Sequence, residues 1–161
     1  MIRRLLALLL FAAALPAAAQ NVPATNYTDL WYNPLESGWG VAFTQHASSQ
    51  AFAMWYTYDP REPDPASPGN FKPLWIVMSG GTWTSPTTIT GPVYVLNGVP
   101  FFQAGSNRTQ TQIGSFTIHF TDASHAEFTY NIAPPSGLAA SDPAFGLPAL
   151  SGTKQMERIQ F

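Results

Sequence analysis

Seven short runs of this chain alternate residue character with a period of two, and helical periodicity is almost absent. The runs lie at 38–46, 51–58, 72–79, 88–96, 113–121, 126–132 and 152–161. Successive side chains on a strand project to opposite faces, so a chain written this way is expected to build sheet. A short eighth strand is expected near 82–84 or around 101–104. Residues 47–50 and 122–125 read as hairpin turns, the second with Asp122 in the first turn position. Sequential strands joined by tight turns predict an all-β, antiparallel up-and-down meander. It closes, or nearly closes, as a barrel, with a β-sandwich as the alternative. Two proline-rich stretches, 59–71 and 133–150, read as surface excursions, because proline cannot donate to a strand ladder.

Composition narrows the function classes. Only 10% of residues are charged, while 14% are aromatic, and the formal net charge is −2. No Lys/Arg cluster is present to neutralise phosphates, which argues against a nucleic-acid partner. Cysteine is absent, so the fold rests on packing without disulfides, and thiol chemistry and Cys-based metal sites are excluded. The three His are scattered without metal-ligand spacing, and no Gly-rich loop opens a helix. No cofactor or metal is therefore implied.

The N-terminus carries an address. Arg3 and Arg4 precede an apolar run from Leu5 to Leu15, followed by Ala17-Ala18-Ala19. This is the pattern of a signal peptide, read over 1–19 with cleavage near Ala19. The remaining 20–161 is expected to form a single β domain, secreted or periplasmic, with 20–28 as a flexible lead-in.

Several segments carry a resemblance. Residues 29–43 read DLWYNPLESGWGVAF, followed by FAMWYTYD at 52–59 and PLWIVMSGGTW at 73–83. Together they resemble an uncharacterised family of exported bacterial domains with the pattern Asp-x-Trp-Trp/Tyr-Asn-Pro-x-Glu-Ser-Gly-Trp-Gly. That resemblance implies export but no particular chemistry. Within the same stretch, Trp31 to Ser37 also resembles the first-strand signature of streptavidin-type biotin binders. There the Asn and Ser bond the ureido oxygen of the ligand, and the matching positions here are Asn33 and Ser37. Pro34 and Glu36 depart from the signature.

Strand parity supplies a candidate site. The runs at 39–46, 51–58 and 74–79 each show a bulky apolar face and a mixed face of small residues, hydroxyls and Trp. One reading makes the mixed faces the aromatic-dotted exterior. The sharper reading joins Ala42, Thr44, Ala53, Trp55, Thr57, Trp75 and Ser79 into one concave face, with Trp55 and Trp75 as apolar walls. The ligand-binding candidates are then Asn33, Glu36, Ser37, Trp39, Trp55, Thr57, Trp75 and Ser79. As a purely structural motif, 33–40 would be a turn, with Trp31 and Trp39 covering one end of the core.

No catalytic residue is assigned. Glu36 could pair with Asp29 or Glu127 for hydrolysis, and His46, His119 or His125 could serve a Ser-His-Asp arrangement. The sequence brings none of these together. The expected function is an exported, non-enzymatic binding module for a small amphipathic molecule or a carbohydrate. The alternatives are a secreted structural module docking a protein through its aromatic face, a hydrolase, and a small outer-membrane barrel. The last is suggested by a terminal Phe161 and opposed by Glu157 on the same strand face.

Overall fold

The computed structural model describes residues 21–46, 50–63, 69–105 and 108–160. The signal peptide read at 1–19, most of the turn at 47–50, part of the 59–71 excursion and Phe161 lie outside the described residues. Among those described, eight strands form a closed barrel: β1 (Asp29–Asn33), β2 (Glu36–Gln45), β3 (Ala51–Pro63), β4 (Phe71–Ser85), β5 (Thr88–Asn97), β6 (Thr109–Phe120), β7 (His125–Ile132) and β8 (Leu150–Arg158). Every neighbouring pair is antiparallel. β8 closes on β1 through Trp31↔Arg158 and Tyr32↔Glu157. The all-β meander barrel expected from the alternation is therefore the observed fold, and the sandwich alternative is not.

The eighth strand lies elsewhere than expected. Residues 82–84 are the end of β4, and 101–104 form no strand. The additional strand is β1; only its last residue, Asn33, belongs to the turn expected over 33–40, and β2 already begins within that span at Glu36. Asn33 and Glu36 pair across a two-residue turn at Pro34 and Leu35, and Asn33 Oδ1 accepts the Leu35 N–H at 2.8 Å. The second expected turn is present: Asp122 Oδ1 accepts from the N–H groups of Ser124 and His125 at 2.7 and 2.9 Å. These bonds, with the His125 side chain beside it, hold the Asp122 carboxyl below its usual range.

The interior is filled by alternate residues from every strand. Trp31, Val41, Phe43, Ala53, Met78, Ile89, Val93, Ile118, Phe120 and Phe128 are all at most 2% exposed. One end is sealed by rings. Tyr27 stacks on Phe120 at 3.9 Å, and Trp31, Phe43 and Trp83 surround the same ring. The Trp31 indole N–H donates to the Tyr27 carbonyl at 3.1 Å, tying the lead-in across this end. Trp31 and Trp39 thus do not cover one end together. Trp39 packs towards Phe128 in the other half of the barrel.

A bulge keeps β6 inside the barrel along its whole length. Its buried positions are Thr111 and Ile113 before Gly114, then Phe116, Ile118 and Phe120 after it. The phase of the alternation shifts at Gly114, whose φ is 145° and where the register against β5 slips. An added side chain there would meet the Asn131 carbonyl of β7.

Candidate functional site

The parity within each strand is as read from sequence, but the pairing between strands separates the two proposed walls. Tyr56 pairs with both Gly40 and Trp75, and Phe52 pairs with Thr44 and Ser79. Directly paired residues share a face. Ala42, Thr44, Trp75 and Ser79 therefore join Phe52, Met54 and Tyr56 outside. Ala53, Trp55 and Thr57 join Trp39, Val41, Leu74 and Ile76 inside. Trp75 is 63% exposed and Trp55 is 9% exposed. The expectation of a single face carrying both Trp is corrected. The bulkier face of β3 points outward, because a small barrel has room within only for an alternation of small and large residues.

The end of the barrel opposite the aromatic plug holds a cavity of about 350 Å³. Trp39, Trp55, Leu74, Ile76, Ile113, Phe128 and Ile132 form its apolar wall. Trp55 meets Phe128 edge-on at 5.1 Å and tilts against Tyr130 at 5.1 Å. Of the eight candidate residues, Glu36, Ser37, Trp39, Trp55 and Thr57 line this cavity. Asn33 holds the β1–β2 turn through its own side chain. Trp75 and Ser79 lie on the outer wall. The two positions carried over from the streptavidin-type signature therefore part company: Ser37 reaches the cavity and Asn33 does not line it.

The mouth carries an ion pair that the sequence reading missed. Lys154 Nζ donates to Glu36 Oε2 at 2.7 Å, and the Trp39 indole N–H donates to the same oxygen at 3.1 Å. Lys154 shares its face of β8 with Gly152 and buried Met156, so its side chain reaches the cavity mouth, where it stays partly open to solvent. The signal was that phase: Met156 fixes the interior positions of β8 as the even ones. The Lys154 hydrogen bond holds the Glu36 carboxyl below its usual range, and the same bond raises the Lys154 ammonium. With the folded value lowered, the contribution of Glu36 to stability is full above the ordinary Glu pKa of about 4.3 and fades as pH falls through the lowered value. The stability gap between the native protein and Glu36→Gln is expected to shrink on acidification from about pH 7 to pH 3, measured by chemical denaturation. A gap that stays constant over that range would contradict the pairing.

The 133–150 excursion is more than a surface loop. Ala144 is 1% exposed, and Leu138 and Leu147 pack on the core. Asp142 fastens this segment to β6, accepting from Thr111 Oγ1 at 2.8 and 2.9 Å. Arg61 of β3 fastens it from the other side, donating to the carbonyls of Pro143 and Phe145, each at 2.9 Å. Asp59 holds the guanidinium in place. Burial pushes the Asp59 carboxyl up, but the hydrogen bonds from Arg61 outweigh burial and lower it overall. Leu147 and Pro148 of the fastened segment complete the cavity wall as a lid.

The groups nominated for hydrolysis are engaged separately: Glu36 with Lys154 at the mouth, and His119 at 4.0 Å from Glu127 on the outer wall. Asp29 pairs with Arg158, Glu127 accepts from Gln155 on the outer wall, and His125 pairs with Asp122 in a turn. Among the described residues, no three His, Asp or Glu are placed to hold a metal ion. A larger depression of about 820 Å³ lies against Thr44, Phe52 and Ser79 of the outer wall and reaches Trp83 of the aromatic plug. Comparison with protein-family models, with curated proteins and with solved structures returns no match.

Proposed function

We propose that this protein is an exported, non-enzymatic binding module that takes a small amphipathic molecule into the mouth of its barrel. The observation that carries this reading is the contrast between the two barrel ends. One is packed solid with aromatic rings, while the other leaves about 350 Å³ empty beneath a fastened lid. A close-packed interior does not leave such a space by default, and this volume lies at the small end of the range for ligand cavities, about 300–1,000 Å³. Mostly apolar walls with few polar groups suit an amphipathic molecule better than a carbohydrate, whose many hydroxyls would find too few partners. The signal-peptide pattern at 1–19 and the resemblance of 29–43 to exported bacterial domains support placement outside the cytoplasm.

The outer wall supports this reading over insertion in a membrane. Exposed Gln112, His119, Thr129, Asn131, Gln155 and Glu157 cover the β6–β8 side. A lipid-spanning barrel needs an apolar belt around its whole circumference. The β1–β4 side differs: Leu30, Tyr32, Phe52, Tyr56, Tyr58 and Trp75 are all exposed there. This band favours a second reading, in which the outer wall docks another protein.

The neutral fluorophore N-phenyl-1-naphthylamine tests the first reading. It is expected to brighten on binding the native protein, and Leu147→Trp, which fills the cavity from the lid, is expected to weaken that binding at least about tenfold. The melting temperature should barely change, since Leu147 is only partly buried. Unchanged probe affinity in Leu147→Trp would move the ligand site elsewhere.

A further inference from the structure

The cavity wall holds a buried hydrogen-bond donor with nothing to receive its proton. Trp55 is more than nine-tenths buried, and its Nε1 has no hydrogen-bond partner. Trp83 Nε1 is also unpaired; it belongs to the aromatic plug and borders the larger depression rather than the mouth cavity. An indole N–H can only donate, so the one group that satisfies it is an acceptor. Buried polar groups are rarely left unmatched in native structures, so an exception in a cavity wall points to an acceptor within the cavity: water when it is empty, a ligand oxygen when it is filled.

The charges at the mouth restrict that group further. Glu36 and Lys154 neutralise each other at 2.7 Å, and no other charged residue lines the cavity among the described residues. An anionic ligand could reach Lys154 only by displacing Glu36 or by lying against its carboxylate. A cationic one meets the mirror-image conflict at Lys154. Either ion would also give up its hydration to an apolar wall. A ligand without net charge leaves the pair intact and the Trp39 bond to Glu36 in place.

Building on the reading of the mouth as a binding site, we infer that the ligand is an uncharged, largely apolar molecule bearing a carbonyl or ether oxygen on its buried end. That oxygen accepts from Trp55 Nε1. The hydrocarbon part lies against Ile76, Ile113 and Phe128, and the outer end passes the Glu36–Lys154 pair without breaking it.

Three nine-carbon probes separate the possibilities: nonan-2-one, nonanoate and nonylammonium, each titrated calorimetrically into the native protein and into Trp55→Phe. The ketone is expected to bind the native protein at least about tenfold tighter than either ion. Trp55→Phe keeps an aromatic ring but no N–H, and is expected to lose about tenfold for the ketone. N-phenyl-1-naphthylamine, which offers no carbonyl or ether oxygen, loses only the packing of the larger ring in Trp55→Phe and is expected to weaken clearly less than the ketone. In the native protein, the Trp55 indole proton should also move downfield on adding nonan-2-one, a readout that does not depend on the variant folding. Nonanoate binding as tightly as the ketone would overturn the inference. So would an unmoved Trp55 indole proton in a protein that binds the ketone. Failure of N-phenyl-1-naphthylamine to bind the native protein would instead overturn the mouth as a binding site, and the inference with it.

Discussion

Truncating Trp55 to Ala is expected to cost about 3–5 kcal/mol of stability, while Phe52→Ala costs less than about 1 kcal/mol. The two residues are three apart on β3 and point to opposite sides of the wall. Trp55 packs on Phe128 and Tyr130 within the barrel; Phe52 is 44% exposed. For a chain of this length the loss at Trp55 corresponds to a fall in melting temperature on the order of 10 °C. Urea denaturation of both variants checks it. Comparable losses at the two positions would mean that the inner and outer faces of β3 are not separated as described.

Gly114→Ala is expected to be the most damaging of the small substitutions, costing at least about 3 kcal/mol. Two causes act together. A φ of 145° lies in the region that disfavours any residue with a Cβ. The added Cβ would also fall against the Asn131 carbonyl on β7, and backbone cannot swing aside as a side chain can. Relief requires β6 to part from β7 or to lose its bulge. Losing the bulge would turn one half of β6 inside out, exchanging Phe116, Ile118 and Phe120 for Ser115, Thr117 and His119. Gly69→Ala, at a φ of 97° with nothing within 4 Å of the added atom, carries the conformational cost alone and is expected to lose only about 1 kcal/mol. Equal losses at the two glycines would contradict the close approach at Gly114.

The architecture was legible because the alternation in β2 to β8 is local information, written two residues at a time. β1 was not, because five residues beside Asn-Pro carry too short a pattern to outweigh a turn signal. The candidate site was partly legible for a related reason. Parity tells which residues of one strand share a face, but which faces of neighbouring strands join depends on register, a long-range property. β3 carries large apolar residues on both sides, Phe52, Tyr56 and Tyr58 outward and Trp55 inward. Bulk therefore did not mark the interior, and Trp75 was joined to the wrong partner. Glu36, Ser37 and Trp39 were found because they enter the mouth from one continuous segment. Lys154 was not, since a lone Lys on a strand reads as solvated until Met156 fixes the phase. The lid was hidden by its prolines, which say only that the segment forms no ladder. Its buried Ala144 and the Arg61 bonds to Pro143 and Phe145 come from tertiary contact.

The account rests on the mouth of the barrel being the place where a ligand enters, and the five Trp residues of the chain report on that directly. Trp39 and Trp55 line the mouth cavity, Trp75 stands on the outer wall, and Trp31 and Trp83 belong to the aromatic plug. Their indole N–H signals can be followed separately by ¹H–¹⁵N NMR while N-phenyl-1-naphthylamine is added. The signals of Trp39 and Trp55 are expected to move together and saturate, with those of Trp31, Trp75 and Trp83 unchanged. A saturating shift confined to Trp75 would place binding on the outer wall and contradict the mouth as the ligand site.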